Sequence, residues 1–244
     1  MALYNFYTGA FSKFTLNTRS KHDRIQQRLA FARARSPRLV AALADHCLAS
    51  GRIARLWREI AAVRKSFVDV YPHVQPFVQM QYWKKQNQDF TKFSLSAKKF
   101  NELRQLYIDA FETLSRLLTL IVGIEAIIHH GELAVPTKKG KMSLDEFEVL
   151  ANANKVGFVE RYPIEDLFVP VLDADFRNRI GHHSAHYDAS TDEVIAYPSK
   201  KAGGVARKMR YTDFVHKVLA LFAVFELAAI YHHDLHIGLN GRFS

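Results

Sequence analysis

Residues 100–130, FNELRQLYIDAFETLSRLLTLIVGIEAIIHH, decide how the rest of the chain has to be arranged. No proline interrupts the run from Ala97 to His130, and leucine, isoleucine and phenylalanine recur at spacings of three and four, the period of an α-helix. Gly131 supplies a C-terminal stop. Unbroken, such a helix would be roughly 50 Å long, and it sets an all-α reading for its surroundings.

Working towards the N-terminus, residues 19–35 place Ile25, Leu29 and Ala32 at helical spacing among Arg24, Arg28, Arg33 and Arg35, an amphipathic basic helix. Ser36-Pro37 has the form of an N-cap followed by proline at the first helical position, so a second helix is expected over 37–49, closed by Gly51. A third helix puts Ile53, Leu56, Trp57 and Ile60 on one face and is expected to end before Pro72. Between Pro72 and Ser96 the periodicity fades, which marks a boundary: a basic N-terminal helical region over 1–95 and a second domain over 96–244. Tyr82, Trp83, Lys84 and Lys85 fall at that boundary, a basic aromatic cluster of the kind that stacks on bases and holds phosphates, or that anchors one domain on another.

Towards the C-terminus, Ser143-Leu-Asp-Glu146 matches a capping box and predicts a helix over about 144–155. Pro170 suits the first turn of a short helix in which Leu172, Phe176 and Ile180, four apart, form the buried stripe. A small β-hairpin or ordered loop is expected around residues 193–197. A final helix over about 213–233, capped by Thr212, is apolar nearly all round and must be buried within a bundle or between subunits.

Composition bounds the function. At 244 residues, 48% hydrophobic and 24% charged, the chain can bury a large core. Its single cysteine, Cys47, forms no internal disulfide, which suits a reducing, cytoplasmic setting. No signal peptide is read at the N-terminus. The most apolar runs, 117–128 and 218–230, are interrupted by Glu125 and Glu226 and fall short of the ~20 residues needed to cross a bilayer, so no membrane is expected. The net charge of +10 is uneven: residues 1–100 hold 18 Lys and Arg against 5 Asp and Glu, whereas the remainder carries a net −3. Such an excess attracts polyanions, RNA foremost, unless it is simply a solvated helix face.

Chemistry concentrates in residues 175–187, DFRNRIGHHSAHY. Arg177, Asn178 and His182 read R-N-x-x-x-H, with Asn178 and His182 four apart on a different face from the apolar stripe. This motif, with its flanking order of a long helix, a second helix, the motif helix, a brief hairpin and a closing apolar helix, resembles the HEPN-domain superfamily, an all-helical group rich in ribonucleases. The resemblance covers roughly the C-terminal three-fifths of the chain. It implies an HEPN-like helical bundle with a small β-hairpin insertion, acting as a metal-independent endoribonuclease in which the ribose 2′-OH attacks the adjacent phosphate. It also implies a homodimer with the two motifs facing across one cleft, no cofactor, and a defence or toxin setting with an antitoxin or defence-complex partner. Within it, His182 would transfer the proton, Arg177 would stabilise the phosphate, and Asn178 would position the imidazole or the phosphate.

His183, His186 and Tyr187 are expected to line the substrate cleft, together with Lys84 and Lys85. Other readings compete. Arg177 could pair with Asp173 one turn earlier, and His182 could cap helix-end carbonyls. His182, His183 and His186 with Asp188 could converge on zinc, although no metal is expected. His232-His233-Asp234 suggests a phosphohydrolase pair without the chain to complete it, and His129-His130 meets the negative end of a helix dipole. The alternative function is a non-catalytic HEPN module that binds RNA or a partner protein.

Overall fold

The computed structural model describes residues 18–48, 52–83, 95–137, 140–163, 165–181, 185–198 and 204–240. It is a mostly helical bundle with two small antiparallel sheets. The helices are α1 (Thr18–Arg35), α2 (Pro37–Leu48), α3 (Arg52–Trp83), α4 (Phe100–His130), α5 (Leu144–Glu148), α6 (Asn152–Val159), α7 (Glu165–Phe168), α8 (Ala174–Gly181) and α9 (Tyr211–Asn240).

As the leucine and isoleucine spacing requires, α4 is the axis. From Leu117 to Ile128 every residue is buried, and α1, α2, α3, α6, α8 and α9 all pack against this helix. It ends where Gly131 turns left-handed at φ 69° and its N–H bonds the Ile127 carbonyl at 3.0 Å. Helix α2 crosses α4 closely at Gly123, where a Cβ would stand 2.6 Å from Leu43 Cδ1. The apolar α9 lies along α4, and its Phe222 stacks on Phe67 of α3 with ring centroids 3.9 Å apart. By length and composition α9 could cross a membrane, but 78% of that stretch is buried inside the bundle. Residues of the basic N-terminal helices and of the later helices join one hydrophobic core.

Helix α3 does not end before Pro72; it runs through Pro72 and Pro76 to Trp83. Proline inside a helix costs about 3 kcal/mol or more. Val70, Val74, Phe77 and Val78 are all buried in this stretch, and at about 1.5–3 kcal/mol each their burial outweighs that cost, while both prolines face solvent. The helix expected over 144–155 is two helices. The Ser143–Glu146 capping box starts α5 as expected, but the chain breaks at exposed Val149 and restarts at Asn152, whose side chain is tied to α4.

Pro170 lies in a 3-10 turn over Val169–Val171 rather than in the first turn of α8. The motif helix starts afresh because Asp173 accepts the Phe176 N–H at 2.9 Å, an N-cap bond. The expected hairpin is a three-stranded sheet of β3 (Ala185–Asp188), β4 (Glu193–Ala196) and β5 (Arg207–Arg210), in that order. A further hairpin pairs β1 (Val135–Thr137) with β2 (Gly140–Met142) between α4 and α5. The final helix begins at Tyr211, ahead of the expected start at about 213, so Thr212 lies inside it and not at its cap; Tyr211 is buried and its N–H bonds Asp192 O at 2.9 Å, joining sheet to helix.

Candidate functional site

Helix α8 separates its residues as the spacing implies. Leu172, Phe176 and Ile180 are buried, with Phe176 set edge-on to Tyr107 of α4, while Arg177 is half-buried and Asn178 exposed. The start of the helix is fixed by Asp173, whose second carboxylate oxygen accepts from Arg207 at 2.7 Å and Lys217 at 3.0 Å. Burial opposes ionisation of Asp173, but the Phe176 N–H and the two cations outweigh it and hold its pKa below the ordinary carboxylate value. A depressed carboxylate stabilises the fold above its unfolded value, near 3.8, and that contribution is lost as pH falls through the lower folded value. Asp173→Asn keeps an N-cap acceptor but removes the charge that Arg207 and Lys217 meet, and should therefore lower stability by about 1 kcal/mol at pH 7, the upper end for partly exposed ion pairs. The gap from wild type should close in acid, as read by urea midpoints from pH 7 to pH 2.

Arg177 does not pair with Asp173. Its Nη2 bonds Glu112 Oε1 of α4 at 2.7 Å, and its Nη1 donates to Asn178 Oδ1 at 3.2 Å. The Nε of Arg177 is buried without a hydrogen-bond partner among the described residues. Behind the pair, Asn152 Nδ2 donates to Glu112 at 2.9 Å and Ser115 Oγ donates to Asn152 Oδ1 at 2.6 Å. The guanidinium is thus oriented by a relay through α8, α4 and α6. Sequence reasoning missed Glu112 and Asn152. Glu112, Ser115 and Thr119 do recur at spacings of three and four on α4, a polar stripe on an otherwise apolar helix that was open to being read.

The histidine half of the motif, His182 together with His183, lies outside the described residues, as do Lys84 and Lys85 and the side chains of Tyr82 and Trp83. Strand β3 begins three residues after His182 and alternates its side chains. His186 is exposed and stacks on the half-exposed ring of Tyr197, centroids 5.8 Å apart and 18° from parallel. Tyr187 points the other way, with its hydroxyl on Asp192 at 2.9 Å and its ring against Tyr211. Burial and the Asp192 bond push the Tyr187 pKa up. The structure brings Arg177 and Asn178 together, leaves His186 on the surface stacked on Tyr197, and packs Tyr187 against Asp192 and Tyr211. Arg179 is held by Asp175 at 2.8 Å and the Val205 carbonyl at 3.0 Å.

Much of the N-terminal basic excess is used inside the chain. Arg28 pairs with buried Glu125, Arg64 forks onto buried Glu226 with two contacts of 2.9 Å, and Arg24 pairs with Asp166 at 2.6 Å. The two glutamates that interrupt the apolar runs are therefore the sites where N-terminal arginines dock. Arg52 sits among His46, Asp145 and Glu148, at 3.0, 2.6 and 3.3 Å. The ligand atoms of those three residues lie within 4.8 Å of one another and could hold a metal ion, but the guanidinium already supplies the cation there.

Compared with known proteins, the chain matches no family model, no curated protein and no solved structure.

Proposed function

We propose that this protein is a metal-independent endoribonuclease of HEPN type, working in the cytoplasm in a defence or toxin setting. The observation that supports it is the polar edge of α8, where Arg177 and Asn178 touch at 3.2 Å, held by Glu112, at the helix end that leads to His182. In this reading the 2′-oxygen attacks phosphorus as His182 removes its proton, and the 5′-oxygen leaves with a proton taken from water, to which His182 later returns its own. A 2′,3′-cyclic phosphate and a 5′-hydroxyl result. Arg177 stabilises the extra negative charge on the pentacoordinate phosphorus, where a fixed guanidinium is most effective. The exposed His186–Tyr197 pair offers a stacking surface for an unpaired base. Two copies would face motif to motif, and an antitoxin or complex partner would hold the activity in check.

A second reading is a non-catalytic module that binds RNA or a partner. The Glu112 ion pair favours it, because a carboxylate at 2.7 Å already neutralises the guanidinium that the phosphate needs. The experiment that separates the two uses the purified full chain and labelled single-stranded RNA in excess EDTA. Cyclic-phosphate ends that disappear in His182→Ala, by about 10²–10⁴-fold as for loss of a general base or acid, support the enzyme. Wild-type chain that binds the RNA and leaves it whole supports the module.

A further inference from the structure

On the other side of Glu112 from Arg177 opens a cleft of about 510 Å³, walled by α2, α3, α4, α5, α6 and α9. Its volume is in the range of small-molecule sites, about 300–1,000 Å³. Among the described residues four acidic ones line it, and each is matched by an arginine. Arg52 takes Asp145 and Glu148, Arg55 and Arg116 share Glu59, and Arg177 reaches Glu112 from behind. Arg52, Arg55 and Arg116 themselves line the cleft, so these carboxylates are already committed.

Among the described residues that line the cleft, Lys155 is the lysine or arginine left without an ion pair. It comes from α6, is 3% exposed, and lines the cleft. Among the described residues no carboxylate lies within ion-pair distance of its ammonium, whose recorded contact is the Phe147 ring, 6.0 Å from the centroid. A second buried polar group that lines the cleft, from α4, is unpartnered: Thr119 is 6% exposed, and its Oγ1 has no hydrogen-bond partner among the described residues. A largely buried lysine without an ion-pair partner is disfavoured as the cation, and burial together with nearby Arg116 pushes the Lys155 pKa down against the pull of Glu148 and Glu112. Cys47, the other nucleophile on the wall, is held protonated by burial, its pKa pushed up to about 12.

We infer that this cleft is a binding site for a small molecule carrying an oxyanion, phosphate or carboxylate, which seats against the Lys155 ammonium and takes a hydrogen bond from the Thr119 hydroxyl. The site is separate from the Arg177 edge and does not depend on ribonuclease activity. The two share Glu112, so an occupant would be felt at Arg177 through Glu112 and Asn152.

The test labels the full chain with pyridoxal 5′-phosphate. The Lys155 amine condenses with the aldehyde to an imine with loss of water, and borohydride then reduces the C=N bond to a secondary amine that peptide mass mapping locates. Lys155 should be modified faster than exposed Lys65, and either inorganic phosphate or acetate should slow labelling of Lys155 at least tenfold while leaving Lys65 unchanged. The protecting ion identifies the headgroup. In parallel, Lys155→Met should raise the thermal midpoint in buffer free of phosphate and carboxylate, since it removes a largely buried lysine without an ion-pair partner, and should abolish the upward shift that the protecting anion gives wild type. Labelling of Lys155 no faster than Lys65, absence of protection by both anions, or a lower midpoint for Lys155→Met would each overturn the inference.

Discussion

Arg177→Ala is expected to slow RNA cleavage by about 10²–10³-fold, the usual loss when one charge-stabilising donor is removed from a transition state, while the chain remains folded. Its side chain is 23% exposed at the polar edge of α8, and the stripe that secures the helix, Leu172, Phe176 and Ile180, is untouched. Glu112 loses its cation but keeps the Asn152 donor at 2.9 Å, so the relay behind it survives. Arg177→Lys should recover only part of the rate, because an ammonium keeps the charge without the planar fork that holds Glu112 and Asn178 together. Glu112→Gln is the informative companion. If the carboxylate orients Arg177, the rate falls; if it masks the guanidinium, the rate rises. RNA binding measured alongside keeps the two functions apart, and an Arg177→Ala protein that cuts as fast as wild type would remove the ribonuclease proposal.

The second large effect concerns stability. Arg28→Met should cost about 3–5 kcal/mol, the range found when one partner of a buried ion pair is deleted. Glu125 is 1% exposed in the middle of α4, and Arg28 reaches it from α1 with Nε 2.9 Å from Oε1 and Nη2 on the other oxygen. His129 approaches the same carboxylate only at 3.5 Å and is bonded to the same guanidinium, so it is a poor substitute. The cost arises from stranding the carboxylate and not from the pair being strongly favourable in itself. Arg28→Met combined with Glu125→Met should therefore return most of the lost stability. Chemical denaturation of the two single variants and the double variant measures this cycle, and a cost below about 1 kcal/mol for Arg28→Met would mean that water reaches Glu125.

That pair also shows why the charge distribution was harder to read than the helices. Eighteen basic residues in the first hundred stand out in the sequence, and attraction of polyanions is the obvious reading. Four of them, Arg24, Arg28, Arg52 and Arg64, meet acids up to 162 positions away within the chain, and no local pattern carries that information. Glu125 and Glu226 looked like interruptions that kept two apolar runs out of a membrane. Folded, they are the anchors that fasten the basic helices to the core.

What the sequence determined by itself is what depends on neighbours along the chain. The α4 period, its Gly131 stop, the Ser143–Glu146 capping box and the separation of Leu172, Phe176 and Ile180 from Arg177 all follow from 3.6-residue geometry and local hydrogen bonding. Tertiary structure decided whatever depended on a balance between distant groups. Core burial carried α3 through two prolines, and Asn152 restarted a helix to reach Glu112. The partner of Arg177 became Glu112, 65 residues away, in place of Asp173 one turn back, because Asp173 was already engaged by the Phe176 N–H, Arg207 and Lys217. Each local rule offers a backbone or side-chain group several partners of similar energy, and only packing brings one of them within 3 Å.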